Sequence, residues 1–544
     1  MFISLIMYEI HDALYGDVVL SEEEANLLNT WEVQRLRRVK QLGFAYLVYP
    51  TAVHTRFEHS LGARYMIEHV IKASKLSINE EDRRYLYIAA LLHDISHPAF
   101  SHVSEKLTEV GVDIPTHDEM RDEMIYGTLR ERVTNEEEEG FLDPDECLPS
   151  ISDLLYATDK RRIMGVLTGE KLDKPFLKEL LDGPIDADNL DYLRRDAYHI
   201  GLPRAYYDDR IFSSFVIAEK DGEEHILFRD SPDTRAAILS VLEARYWLLK
   251  IVYRHHTTLI AERMFLWALE TYLPREDGLK LYAYGDEEFL SFFKQKAKEK
   301  EEKDLLMALN DVSNRRLYKR AFMTDKRHDE KTIEDAKKKK LEIIREEIER
   351  KAELGFGEIL IDGPKESKWK EGFDVLLNTS SGKISKLSNY AHTELTTLKE
   401  QYKSTELFGI YIRPKGEKTK DYAGRVLDYC KRIDWNGYYR PKEPLEVQAK
   451  EQYKVQLIVG ERIRRNKKAS LKILKTFMAH DKWLSREEVA KMNDVKPTTA
   501  SQYISYLNEV FRESGLRLFE TKREGGVKKW RLEKRIREHL KVIL

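Results

Sequence analysis

Through the first 275 residues, apolar and polar positions recur mainly with the period of an α-helix. Glu22 to Gly43 carries apolar residues at helical spacing and stops at a glycine, and Ala236 to Tyr272 supports one or two long helices. One stretch departs from amphipathic alternation. From Tyr85 to Pro98 an apolar run with no polar face ends abruptly in His93, Asp94 and His97. A helix apolar all round is a buried helix. An imidazole and a carboxylate at its end are costly to bury unless they are paired or bind a metal.

Past Pro274 the pattern predicts helix over Asp286 to Lys319, then a highly charged helix from Asp329 to Ala352 whose Lys337 to Lys340 run reads as a solvated face. Between about 355 and 440 the texture changes. Gly357 to Asp362, Phe373 to Leu377 and Leu407 to Arg413 alternate as strands do and predict a small α+β subdomain. Tyr438 to Pro444 reads as a linker. Helices over Ser470 to His480, from a Ser485 cap through Met492, and over Pro497 to Arg512 then precede a hairpin of Leu516 to Thr521 and Val527 to Leu532, the order of a winged helix. Lys522, Arg523, Lys528 and Lys529 make the wing basic. Nucleic-acid binding and protein contact are equally open for this unit.

Composition narrows the chemistry. The 544 residues suit two or three domains, and 92 Lys and Arg against 95 Asp and Glu leave a net charge of -3, so no global basic field advertises nucleic acid. Cys147 and Cys430 are too few for a disulfide framework or a thiolate site, which fits a reducing cytoplasm and leaves His and carboxylate as the metal ligands. The apolar start, Met1 to Met7, is short and lacks a basic leader, so neither a signal peptide nor a membrane span is expected.

The dipeptide His-Asp recurs at His11, His93, His117, His328 and His480 and means little alone. Clustering means more: seven of the 16 histidines, His54, His59, His69, His93, His97, His102 and His117, share one stretch. Imidazole with carboxylate suits Mn, Fe, Ni or Zn, and carboxylates also admit Mg. Such an ion polarises a phosphoryl oxygen and acidifies a bound water, so metal-assisted hydrolysis is the natural reaction class. The competing reading is a set of satisfied core histidines with capping aspartates.

Arg56 to Gly62 (Arg-Phe-Glu-His-Ser-Leu-Gly), His93 to His102 and Asp186 to Asp196 together resemble the HD-domain dNTP triphosphohydrolases, a family with vertebrate and bacterial members. The resemblance begins at Ile10, runs through Gln34 to Gly43 and Arg315 to Lys319, and thins toward Trp435. It implies a mainly α fold: an HD helical core over 1–275 and a helical and α+β lobe over 276–440 with regulatory or oligomerisation roles; the winged-helix-like unit over 445–544 is extra to the family pattern. Carried over by position, His59, His93, Asp94 and Asp188 become ligands of one divalent ion, with room for a further Mg borne by the nucleotide. His117 takes the catalytic place, Glu105 orients it, and His97 and His102 contact the phosphates. Arg56, Tyr192, Asp196, Arg245 and Tyr253 match positions that hold triphosphate, sugar or base, and Gln41 and Leu42 match the pair beside the sugar. The less favoured alternative makes Tyr253 and Leu42 core residues and Arg56 the partner of Glu58 or another acid, and His54 and His69 read as structural. The implied reaction converts dNTPs to deoxynucleoside and inorganic triphosphate. The implied assembly is a homo-oligomer with nucleotide activators at its interfaces, where Arg35, Arg37 and Lys40 lie in the matching segment; otherwise they are the solvated face of an amphipathic helix.

Two other functions stay open. An HD nucleotidase, nuclease or phosphodiesterase would use similar ligands, and a nucleotide-sensing regulator would bind nucleic acid through residues 445–544. Departures from the family pattern also matter. Asn189 stands where a lysine grips phosphates, and Arg254 replaces a glutamine near the base. Asn29 replaces an aspartate that reads guanine, and an amide oxygen cannot offer the same charge-assisted pairing to two N–H groups. GTP is therefore not expected to be a strict activator. Hydrolysis assayed with and without GTP checks this: a rate indifferent to GTP fits Asn29, and a steep dependence contradicts it.

Overall fold

A hairpin of β1 (Tyr8–Asp12) and β2 (Gly16–Leu20) leads into α1 (Glu22–Leu28) and α2 (Trp31–Arg35), followed by α3 (Arg56–Ser74), α4 (Glu80–Leu92), α5 (His102–Glu109) and α6 (His117–Tyr126). This computed structural model describes residues 8–109, 114–129, 148–326, 357–363, 375–432, 468–480, 482–513, 518–524 and 527–532, with a few single positions between them. The chain divides into two compact units, 1–437 and 438–544.

Local chemistry starts the two helices that matter most. At α3 the Thr55 hydroxyl accepts from the Glu58 N–H while the Glu58 carboxylate accepts from the Thr55 N–H, which satisfies two donors that helix geometry leaves over. Asn79 caps α4 in the same way at one side. From Tyr85 onward α4 is sunk in the core, with Leu86, Ile88, Leu91 and Leu92 at most 1% exposed. Each such side chain contributes about 1.5–3 kcal/mol. That burial fixes where His93 and Asp94 emerge.

The single helix expected over Glu22 to Gly43 is instead α1, α2 and a 3-10 turn, Leu36–Arg38. Asn29 and Thr30, residues that favour caps over helix interiors, stand at the break. Arg35 then turns inward. It is fully buried and donates to the carbonyls of Ile95 and His97 at 2.7 Å and of Tyr284 at 3.3 Å, so it is neither a solvated face nor a nucleotide contact. Burial, then the charge of Arg38, lowers its pKa to about 10, which still leaves it charged at neutral pH.

Two elements escaped the periodicity. The β1–β2 hairpin and a second hairpin, Phe215–Lys220 with Glu223–Arg229, fall where the pattern read as mainly helical. The strands expected between 357 and 413 exist as Ile359–Asp362, Leu376–Asn378 and Leu407–Ile412, but they do not pair only among themselves. Leu407–Ile412 lies between Lys319–Asp325 and Ile359–Asp362, whereas Leu376–Asn378 runs parallel to Glu223–Arg229, Leu377 opposite Phe228. The charged helix expected over Asp329 to Ala352 lies almost entirely outside the described residues. One continuous apolar core joins the β1–β2 hairpin, the helices and these sheets.

The second unit holds helices Lys468–Ala479, Arg486–Asn493 and Pro497–Glu513, with Leu484–Ser485, Val527–Leu532 and Phe519–Glu524 as a three-stranded sheet in that order. Phe477, Leu507, Phe511 and Trp530 centre its core. Among the described residues of the chain, no helix is long and apolar enough to cross a membrane.

Replacing Arg35 by Met leaves buried carbonyls without donors, each costing about 1–3 kcal/mol. Denaturant melts of Arg35→Met should show a loss of roughly 2–4 kcal/mol. An unchanged midpoint would mean that the loop after α4 does not lean on this guanidinium.

Candidate metal centre

His59 sits in the first turn of α3, His93 and Asp94 where α4 ends, and Asp188 in the first turn of the helix Ala187–Ile200. Three helix ends thus meet. The two Nε2 atoms of His59 and His93 face each other at 3.3 Å. Asp188 Oδ1 lies 2.9 Å from the first and 3.8 Å from the second, and Asp94 brings Oδ2 within 3.6 Å of His59 Nε2 and Oδ1 within 3.5 Å of His93 Nε2. The other ring nitrogens are spoken for. His59 Nδ1 is 2.8 Å from Asp191 Oδ2, and His93 Nδ1 is 2.7 Å from the Ala90 carbonyl. An acceptor at Nδ1 keeps the proton there and leaves the Nε2 lone pair pointing inward.

Two converging lone pairs and two carboxylates repel one another unless a positive charge lies between them. Burial disfavours a charged His59, but hydrogen bonds to Asp188 and Asp191 and the charge of Asp94 outweigh it and raise its pKa to about 10. A proton is a partial answer. A divalent ion answers fully, since ligands about 2.0–2.2 Å from a shared ion sit about 3 Å from one another. His59, His93 and Asp188 form a group able to hold such an ion, with Asp94 at its edge.

A carboxylate that the sequence reading passed over holds this arrangement. Asp191 is fully buried and accepts from Arg195 Nε at 2.9 Å, Arg195 Nη2 at 3.0 Å and the Tyr15 hydroxyl at 2.7 Å, besides receiving His59. Burial opposes its charge, yet Arg195 and His59 hold its pKa well below the usual carboxylate range. Arg195 in turn pairs with Asp12 at 2.9 Å, so the His11-Asp12 dipeptide serves the scaffold. The signal was present: Asp191 and Arg195 are four apart on one helix. Gly62 completes the support, because a Cβ there would lie 2.0 Å from Asp191 Oδ1 and 2.4 Å from Arg195 Nη2.

Beside the first group, His97, Glu105 and His117 form a second. His97 Nε2 is 3.1 Å from Asp94 Oδ1, and its Nδ1 lies 2.5 Å from Glu105 Oε1, off the hydrogen-bond direction. Glu105 also takes His102 Nδ1 at 2.9 Å, while His102 is mostly exposed. The carboxylate expected to orient His117 thus lies closest to His97 and His102. His117 Nε2 is 3.0 Å from Ser96 Oγ, and its ring centre is 4.8 Å from that of His97. Burial and Arg56 weigh against a charge on His97, but Glu105 and Asp94 prevail and raise its pKa. His117 goes the other way: burial, then His97, lowers it to about 3. The connecting loop holds Phe100 and Ser101 at φ +62° and +51°, a left-handed turn that side chains resist. Asp286, accepting the Phe100 N–H at 2.7 Å and the Lys40 N–H at 3.1 Å, keeps it there.

The remaining candidates surround this pair of groups. Arg56 pairs with Asp94 Oδ2 at 2.6 Å and donates to Ser101 Oγ at 2.8 Å; Glu58, the partner considered from sequence, instead caps α3. Arg56 Nη2 and Gln41 Oε1 are buried with no hydrogen-bond partner among the described residues. Leu42, next to Gln41, is half-buried against the core. The Tyr192 ring stands edge-on to His59, and Arg245 Nε donates to its hydroxyl at 3.2 Å. Asp196 takes His54 Nε2 at 2.7 Å on one oxygen and the Tyr253 hydroxyl on the other, so buried His54 braces a site residue. Tyr253 lies in a π-turn, Leu249–Tyr253, a distortion frequent at functional sites. His69 packs between Tyr65 and Phe212. Asn189 is committed to Asp186, whose Oδ1 accepts both its backbone and side-chain N–H at 2.6 Å. Lys40 pairs with Glu287 at 3.1 Å, and exposed Arg37 stacks over Phe57 at 3.6 Å.

If Asp191 fixes His59, Asp191→Asn should weaken metal affinity about 10–100-fold. Gly62→Ala, which crowds the same carboxylate, should weaken it too. Calorimetric titration of the metal-free protein with Mn and Zn measures both, and undiminished affinity in the pair would deny Asp191 this role.

An HD domain matches residues 56–152 and an HD associated region matches 227–432. An uncharacterized protein of Methanocaldococcus jannaschii is 33% identical over 259 residues, 47% of this chain and 48% of the relative. A deoxynucleoside triphosphate triphosphohydrolase of Danio rerio is 30% identical over 279 residues, 47% and 43% of the two chains. The chain spans about half the length of the curated relatives it matches. The crystal structure of a hypothetical protein from Aquifex aeolicus, 23% identical, superposes with a TM-score of 0.57 over 77% of this chain and 100% of that one, which shows the shared fold. The chain therefore carries an HD domain and an HD-associated region, and over about half its length it is similar to deoxynucleoside triphosphate triphosphohydrolases.

Proposed function

We propose that this protein hydrolyses deoxynucleoside triphosphates at the α-phosphorus to deoxynucleoside and inorganic triphosphate. The observation that carries the reading is the meeting of two imidazole nitrogens, 3.3 Å apart, with two carboxylates 2.9–3.8 Å from them, beside a buried guanidinium N–H that has no hydrogen-bond partner among the described residues. The similarity to proteins named deoxynucleoside triphosphate triphosphohydrolases supplies the substrate class. A divalent ion on His59, His93, Asp94 and Asp188 supplies Lewis-acid stabilisation of the charge that builds at phosphorus.

The chain's own groups do the rest. Arg56, already fixed by Asp94 and Ser101, offers Nη2 to a phosphate oxygen, and His97, whose pKa the neighbouring acids raise, offers a second donor beside it. Asn189, tied to Asp186, is not free for the phosphates, so the grip rests on Arg56, His97 and His102. Water oxygen bonds to the α-phosphorus, losing one proton to solvent, as the bond to the 5′-oxygen breaks. His117 is assigned the proton that the leaving 5′-oxygen needs, taken up from solvent as a polyanion beside it offsets the burial and the His97 charge that disfavour it in the free protein. Gln41 Oε1 is an unused acceptor for a sugar hydroxyl, with Tyr192 and Tyr253 alongside. The proposal includes self-assembly, for which Arg37, exposed at the surface, is the residue of its segment still available.

Metal-loaded protein incubated with each dNTP, NTP and dNMP, its products separated by chromatography, tests the reading. Intact triphosphate from dNTPs is expected, reduced about a thousandfold in His93→Ala, the equivalent of about 4 kcal/mol. Orthophosphate released from monophosphates alone would displace it in favour of a nucleotidase.

A further inference from the structure

Charge is segregated between the two units. Residues 438–544 carry 26 Lys and Arg against 14 Asp and Glu, whereas residues 1–437 carry 66 against 81. A chain almost neutral as a whole therefore ends in a strongly basic unit. Such asymmetry points to a polyanion.

The helix Pro497–Glu513 has an unusual surface. Its apolar stripe, Ala500, Ile504, Leu507 and Phe511, is buried in the unit's core. The opposite side shows Thr498, Gln502 and Ser505 to solvent, and no charged residue occurs from Pro497 to Asn508, in a chain that is 34% charged. Solvent faces of helices ordinarily carry charge. Short hydroxyls and an amide on an uncharged face suit base edges, to which they donate and from which they accept. Lys496, exposed just before the first turn, adds a cation at the positive end of the helix.

The hairpin that follows supplies a second, independent sign. Arg523 and Lys528 stand directly opposite each other across Phe519–Glu524 and Val527–Leu532, and both are exposed. Like charges so placed destabilise a hairpin. Neighbouring cations are compensated, Lys529 by Glu524 at 3.1 Å and Arg531 by Glu520 at 2.6 Å. Arg523 and Lys528 meet no carboxylate among the described residues. An external anion would relieve them.

We propose that the second unit binds duplex DNA, with the Thr498, Gln502 and Ser505 face of its third helix in the major groove and Arg523 and Lys528 on the backbone phosphates. A duplex is favoured because a major groove of B-form width admits a helix, whereas single strands are held by stacked aromatics and A-form RNA closes its major groove to side chains. The site shares no residue with the metal centre and does not depend on the hydrolysis assigned there.

Fluorescence anisotropy of a labelled 20-base-pair duplex with the full-length protein, from 50 to 200 mM salt, tests it. Binding that weakens steeply with salt is expected. In the double variant Arg523→Glu, Lys528→Glu affinity should fall at least tenfold and the slope of log K against log salt should flatten by about 2, one for each lost phosphate contact. Gln502→Glu should weaken binding as well, with circular dichroism confirming that each variant is folded. No binding at 50 mM salt, affinity indifferent to these substitutions, tighter binding of single strands, or equal binding of polyglutamate would each overturn the proposal.

Discussion

Everything in the first unit is arranged around one electrostatic demand: two imidazole nitrogens, each with its proton held on the far side of the ring, aim their lone pairs at a point flanked by two carboxylates. Each Nδ1 is already claimed, one by Asp191 and the other by the Ala90 carbonyl, so a second proton on His59, shared with Asp188, meets only part of the demand. A divalent ion would meet all of it. Its cost is met by the helices that deliver it. α4 is buried so thoroughly that its last turn can emerge in one place, and α3 packs against both α4 and the helix that bears Asp188.

Around that demand, charges are layered in sequence. Asp94 balances Arg56, Asp191 balances Arg195, and Arg195 reaches Asp12 on the first hairpin. Arg35, under the loop after α4, ties the carbonyls of Ile95 and His97 to the body of the protein. Each guanidinium neutralises a buried acid or satisfies buried carbonyls, and removing either partner of such a pair leaves the other stranded. The strained Phe100–Ser101 turn persists for the same reason, since Asp286 and Arg56 hold it from two sides. The histidines beyond it divide the labour. The acids around His97 raise its pKa, while burial and the neighbouring His97 lower that of His117.

Much of this is legible in the sequence. The apolar run of α4 announced a buried helix with ionisable groups at its end, and the motifs around His59, His93 and Asp188 are the residues that three helix ends bring within a few ångströms of one another. What stayed hidden was hidden for physical reasons. The strands of the two early hairpins are short, and β1 is largely exposed, so no alternation marked them. Arg35 sat in a segment whose amphipathic period put it on the outside; a broken helix turned it inward, and its partners are main-chain carbonyls far away in sequence. Asp191 looked like one more acid on a charged helix, and its importance follows from the ring it faces. The pairing of Leu376–Asn378 with Glu223–Arg229 joins segments about 150 residues apart, a contact that local pattern does not carry.

X-ray absorption at the metal edge of the loaded protein tests the central claim most directly. The account predicts one ion per chain with two imidazoles at about 2.0–2.1 Å and the remaining shell oxygen. In His93→Ala one imidazole should vanish from that shell. A shell of oxygen alone, or one that His93→Ala leaves intact, would contradict it.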